Sequence, residues 1–167
     1  MITRGTTCCF TGHREQKLPW GKNENDPRCI DLKTRIYDSV EAVYGSGVRH
    51  YISGMATGCD MFFGEAVLRL KALHPDITLE SAVPYTDQSV RWRPELKTRY
   101  DAIIDAADYH TLVCVEYTGD CMKRRNRYMV DNSSVLIAAY SGSSGGTMQT
   151  MLYAIRQKIE IIELGIE

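Results

Sequence analysis

Apolar β-type runs alternate with helical repeats along the whole chain. Thr6 to Phe10 is the first apolar run. A loop rich in Pro and Asn separates it from a helix over about Asp26 to Tyr44, where Leu32, Ile36, Val40 and Val43 recur at helical spacing. Asp26 and Pro27 form a cap and first-turn pair, and Gly45 to Gly47 stop this helix. His50 to Ser53 is a short second strand. After a loop over Gly54 to Asp60, Phe62, Ala66, Leu70 and Leu73 mark the apolar stripe of a helix over about Met61 to Leu73. Ile77 to Val83 is a third strand, Pro94 to Ala107 a helix, and His110 to Val115 a fourth strand. A basic helix over Met122 to Asn132 leads to a fifth strand, Val135 to Tyr140. A last helix starts near Thr147, and Ile159 to Leu164 is the final strand.

Strand–helix alternation of this kind predicts an α/β fold: a Rossmann-like, doubly wound, mainly parallel sheet with helices on both faces, in one domain spanning residues 1–167. The first, fourth and fifth strands are almost wholly apolar or small, as in strands buried on both faces. The third carries Thr78 and Glu80 and the sixth Glu160 and Glu163, which suits sheet edges. The expected strand order is therefore 3-2-1-4-5-6.

Composition then narrows the class. The 167 residues carry 20 Lys and Arg against 21 Asp and Glu, a formal net charge of -1, which argues against coating nucleic acid by bulk charge. The six cysteines (Cys8, Cys9, Cys29, Cys59, Cys114 and Cys121) form no C-x-x-C pair, so no metal site is expected and the thiols read as reduced and buried. No signal-type or membrane-spanning run is present, and a cytoplasmic protein with no membrane partner is expected.

The loops carry the chemistry. Segments entering strands are short, whereas those leaving strands are longer and rich in Gly, Arg and His. In open parallel sheets, ligands bind at that carboxyl edge, near the point where strand order reverses. Thr11-Gly12-His13-Arg14 follows the first strand, and its arginine offers a planar fork for phosphate. Gly54, Met55, Ala56, Gly58 and Asp60 follow the second strand. Asp60 can cap the next helix, accept from ribose hydroxyls or position a water. Pro84, Tyr85 and Trp92 lie in and after the third strand's loop, where Trp92 either packs or stacks on a base. In the basic helix, Arg125 and Asn126 are the expected ligand contacts, with Lys123, Arg124 and Arg127 at the surface. Gly142, Gly145, Gly146 and Thr147 make a phosphate-type loop at a helix start. No catalytic triad is visible. The carboxylates available for acid–base work are Asp60 and Glu65.

These segments together resemble YpsA-like proteins of the SLOG superfamily. The resemblance rests on C-F-T-G-H-R at Cys9 to Arg14, G-M-A-x-G-x-D at Gly54 to Asp60, and Gln88…Trp92. It continues through C-M-x-x-R-N-x-x-M-V-D at Cys121 to Asp131 and G-G-T at Gly145 to Thr147. It implies a Rossmann-like fold binding a nucleotide or nucleotide-derived ligand. Superfamily relatives include DprA, which binds single-stranded DNA, and the Lonely Guy phosphoribohydrolases, which cleave nucleoside monophosphates. Ser53-Gly54…Gly58-Cys59-Asp60 is similar to DprA's S-G-x-x-x-G-x-D loop, and Gly145 to Thr147 to part of the hydrolase P-G-G-x-G-T-x-E motif. Gln149 stands at that motif's acidic position and cannot act as a carboxylate base. The expectation is a binding module of the sensor or signalling kind for a small anionic nucleotide-type ligand. The alternatives are an N-glycosidic hydrolase of nucleoside monophosphates and a single-stranded DNA binder, and a homo-oligomer is compatible with each.

Overall fold

The computed structural model describes residues 1–167. Its strands are β1 (Thr7–Gly12), β2 (His50–Ser53), β3 (Thr78–Tyr85), β4 (Tyr109–Cys114), β5 (Val135–Tyr140) and β6 (Glu160–Gly165). Its helices are α1 (Pro27–Gly45), α2 (Cys59–Lys71), α3 (Pro94–Ala106), α4 (Cys121–Asp131) and α5 (Gly146–Arg156). The sequence pattern places every element to within two residues. The Asp26 carboxylate accepts from the Arg28 amide and Pro27 opens α1, as the cap pair requires. All six cysteines are free and buried.

All five strand pairings are parallel. The α/β Rossmann-like class is as expected, but one strand sits elsewhere. The order is β4-β3-β2-β1-β5-β6, not 3-2-1-4-5-6. β4 lies outside β3, and β5 takes the place beside β1, pairing Cys8 with Val135 and Gly12 with Ala139. The apolar sequence of β4 does not mark burial, because Tyr109 and Leu112 are each 48% exposed at the sheet edge. The polar Glu80 does not mark an edge either. Inside β3 it accepts from Thr111 Oγ1 at 2.7 Å and from Tyr128, and its other oxygen lies 2.7 Å from His50 Nε2. A buried carboxylate is tolerated in an interior strand when its lone pairs are all engaged.

The two faces are unequal. α1, α2 and α3 cover one face through a core of 28 buried residues, in which the Phe10 and Phe63 rings stack 4.8 Å apart. α4 and α5 cover the other through eight buried residues, including Cys9, Ile52, Met129 and Ala154. The chain reverses direction of travel across the sheet at β1. The loops after β1, β2 and β5 therefore converge, and the crevice between β1 and β5 opens at their carboxyl ends. No helix is long and apolar enough to cross a membrane.

Candidate functional site

A cleft of about 390 Å³ lies at this reversal point. Thr11, Gly12, His13 and Arg14 line it from the first loop, and Ala56 and Asp60 from the second. Arg125 and Asn126 reach it from α4, and Gly146 and Thr147 from the start of α5. Phe10, Gln16, Lys17, Met122 and Met129 complete the wall.

Glycine lets these loops meet. A β-carbon on Gly12 would stand 2.5 Å from Cys59 Cβ and 2.9 Å from the Phe10 ring. Gly58 has φ +77°, and a β-carbon there would stand 2.7 Å from the Glu15 amide nitrogen. The second loop is held in strain: Met55 has φ +59°, its amide donates to Ser53 Oγ at 3.3 Å, and Gln88 Nε2 donates to its carbonyl at 2.9 Å. Gly54 leaves room for the Arg125 guanidinium, which donates through Nη1 to the Gly54 carbonyl.

The first and fifth loops are clasped together. The Ser141 amide donates to His13 Nε2 at 3.3 Å, which makes Nε2 an acceptor and puts the ring proton on Nδ1. The Ser141 hydroxyl lies 2.7 Å from the same nitrogen. Burial, with the Lys17 charge adding to it, holds the His13 pKa below its ordinary value, so the ring is neutral. Lys17 Nζ donates to the Ser144 carbonyl at 2.9 Å, in the space a β-carbon on Gly145 would take.

The electrostatics are lopsided. Asp60 is the single carboxylate lining the cleft, facing Arg14, Lys17 and Arg125. Burial pushes the Asp60 pKa up against the opposing charge of Arg125, and burial likewise pushes the Arg125 pKa down. Asp60 does not cap α2. That position is Gly58, and Asp60 Oδ2 accepts from the Ala56 amide at 3.1 Å. Arg125 Nε donates to Asn126 Oδ1 at 2.8 Å, leaving Nη2 without a protein partner. The one side-chain hydrogen bond of Arg14 goes to the Met122 sulfur, at 3.4 Å. Gly145 caps α5 with no side-chain acceptor, so the first amides of that helix stay available beside the Thr147 hydroxyl.

Other residues singled out from the sequence lie elsewhere. Gly54, Met55 and Gly58 are buried beneath the wall and shape it. Gly142 is an exposed turn residue with φ +87°. Pro84 and Tyr85 end β3 away from the cleft, with the Tyr85 ring edge-on to Tyr117 at 5.3 Å. Trp92 packs edge-on against Tyr100 at 5.3 Å. Glu65 is bound by Arg99, which also reaches Glu24, on the α1–α3 side, so it does not belong to the cleft. Arg93, next to Trp92, grips the Glu15 carboxylate through both terminal nitrogens and braces the first loop. Lys17 was missed by sequence reasoning. Its signal was position alone, three residues past Arg14 in the same post-strand loop.

A family model described as the YspA SLOG family matches residues 8–165. The chain belongs to the YspA SLOG family. Within reach of this SLOG protein is YoqJ, an uncharacterised SPbeta prophage-derived protein of Bacillus subtilis, 28% identical over 77% of this chain and 83% of the relative. A UPF0398 protein of Halalkalibacterium halodurans is 25% identical over 89% of this chain and 79% of its own. Two solved structures share the SLOG protein's fold. DNA processing protein A from Streptococcus pneumoniae matches with a TM-score of 0.62 and 12% identity, over 95% of this chain and 50% of that one. DNA processing protein A from Helicobacter pylori, described for its single-stranded DNA binding mode, matches with a TM-score of 0.63 and 15% identity, over 99% of this chain and 67% of that one.

Proposed function

We propose that the protein binds a small, nucleotide-type anion in the cleft between β1 and β5. The observation that carries this reading is the meeting of Arg14, Lys17, Arg125 and the uncapped start of α5 around one buried carboxylate. Phosphate oxygens would take charge-assisted hydrogen bonds from Arg14, Arg125 Nη2, Thr147 and the α5 amides. Asp60 would accept from the sugar hydroxyls, as a carboxylate beside a phosphate loop does in Rossmann-type sites. The neutral His13 holds the first and fifth loops in register and adds no competing charge. The fold's occurrence in a single-stranded DNA-binding protein supports a phosphate-bearing ligand.

Thermal-shift screening against nucleoside phosphates, NAD and ADP-ribose tests the reading. A ligand held at about 100 times its Kd stabilises by about 2.7 kcal/mol, or about 5–10 °C for a chain of this size. Arg14→Ala is expected to abolish the shift without lowering the melting temperature of the unliganded protein by more than a few degrees. No shift with any compound refutes the reading. AMP recovered intact after prolonged incubation is the expected result for binding, whereas free adenine would assign hydrolysis instead.

A further inference from the structure

A second groove of about 270 Å³ runs between α4 and α5, lined by Lys123, Asn126, Arg127, Gln149, Tyr153 and Arg156 among others. Asn126 lines both this groove and the cleft, so the two spaces adjoin at that side chain. Its Oδ1 is occupied by Arg125 Nε, which leaves the amide nitrogen to donate.

The charges of the groove have no protein partners. Arg28, Arg35, Arg49, Arg93 and Arg99 each hold a carboxylate on other parts of the molecule. Lys123, Arg127 and Arg156 hold none, although Arg127 lies over the Tyr153 ring at 5.2 Å. α5 contains no acidic residue, and Gln149 stands on its groove side. Asp131, at the far end of α4, is already engaged by the Tyr153 hydroxyl at 2.7 Å. Lys123 and Arg124 also sit in the first turn of α4, where the helix dipole repels cations.

We infer that the α4–α5 groove is a second anion subsite, and that the ligand of the cleft carries a further phosphoryl group into it. The inference rests on the nucleotide reading of the cleft and names the class of ligand: a dinucleotide or longer phosphodiester rather than a mononucleotide. Arg156 lies ten residues beyond Gly146, a separation of about 15 Å along α5. One phosphate cannot touch both ends, whereas a second phosphoryl group on the next nucleotide can be met by the Arg156 side chain, which leans back toward the start of α5.

Calorimetric titration of the full chain with AMP and with the 5′-phosphorylated diadenylate pApA tests this. The wild-type protein is expected to bind pApA at least about tenfold tighter than AMP. The exposed double variant Arg127→Gln/Arg156→Gln should bring pApA down to the affinity of AMP while leaving AMP unchanged. Arg14→Ala should weaken both. Equal wild-type affinities, or a double variant that alters neither or both ligands, overturn the second subsite and leave the cleft reading intact. Binding of neither probe overturns both. Loss of pApA in the groove variant with Arg14→Ala silent would keep the groove as an anion site and refute the cleft. A decameric single-stranded oligonucleotide completes the set: affinity well beyond pApA assigns the groove to a nucleic-acid strand, and affinity equal to pApA assigns it to a dinucleotide-sized molecule.

Discussion

The two helical layers of this protein divide its work. On the α1–α3 side, 28 buried residues form the main core, and most surface cations are matched by carboxylates, as where Arg99 bridges Glu24 and Glu65, while Arg69 lies over the Tyr37 ring. On the α4–α5 side, eight buried residues suffice, and the helix cations hold no carboxylate. The carboxylate beneath the helix, Glu80, is taken up by His50, Thr111 and Tyr128 and faces no helix cation. A pair of helices whose cations all lack a carboxylate is what an anion-binding face requires. Stability can be concentrated in the layer that binds nothing.

Four changes would break or sharpen that division. The largest effect is expected from Phe63→Ala in the main core, where a fully buried ring stacked on Phe10 is lost. Urea denaturation should show a loss of about 3–5 kcal/mol. A comparable loss from groove residues would contradict the division.

Arg93→Ala comes next. It leaves the largely buried Glu15 carboxylate without its guanidinium partner and is expected to cost about 1–3 kcal/mol. Because Glu15 adjoins Arg14 and packs against Gly58, nucleotide affinity measured alongside should fall too.

The third change concerns acid. Hydrogen bonds from His50, Tyr128 and Thr111 overcome burial and hold the Glu80 pKa below its ordinary 4.5. A depressed carboxylate contributes stability above its unfolded pKa and loses it as pH falls through its folded pKa. Wild-type and Glu80→Gln proteins should therefore converge in melting temperature as pH drops below about 4.5 and differ by a constant amount above it. A difference that persists unchanged through acid would contradict the role given to this carboxylate.

The smallest effect is expected from Lys123→Glu. Placing an acid in the first turn of α4 should raise stability by about 0.3–1 kcal/mol while weakening binding of phosphorylated ligands. A variant that is both less stable and unaltered in binding would remove the argument that Lys123 is kept for an anion.

Much of this was legible in the residues. Leu32, Ile36, Val40 and Val43 marked the buried face of α1, and each is buried. Thr11 to Arg14, Asp60, Arg125, Asn126 and Gly146-Thr147 are spread over more than a hundred residues of the chain, yet the rule that post-strand loops share one sheet edge brings them together. Trp92 and Glu65 were not decidable locally. An indole beside two arginines, or a glutamate on a helix, looks the same whether it faces a ligand or a neighbouring helix. Tyr100 and Arg99 decided both, and neither is adjacent in sequence.

The sequence by itself determined the elements, the α/β class and the edge at which the glycine and arginine loops gather. Periodicity and turn chemistry are local properties of the chain and act wherever the segment lies. Only the tertiary structure decided that β4 lies at the edge rather than beside β1, that Glu80 is buried and satisfied, and that Arg93 is a brace while Arg127 and Arg156 stand unpaired. Those are matters of partnership. A strand's neighbour and a charge's counter-ion are set by which distant segments pack together, and a one-dimensional pattern does not encode that distance.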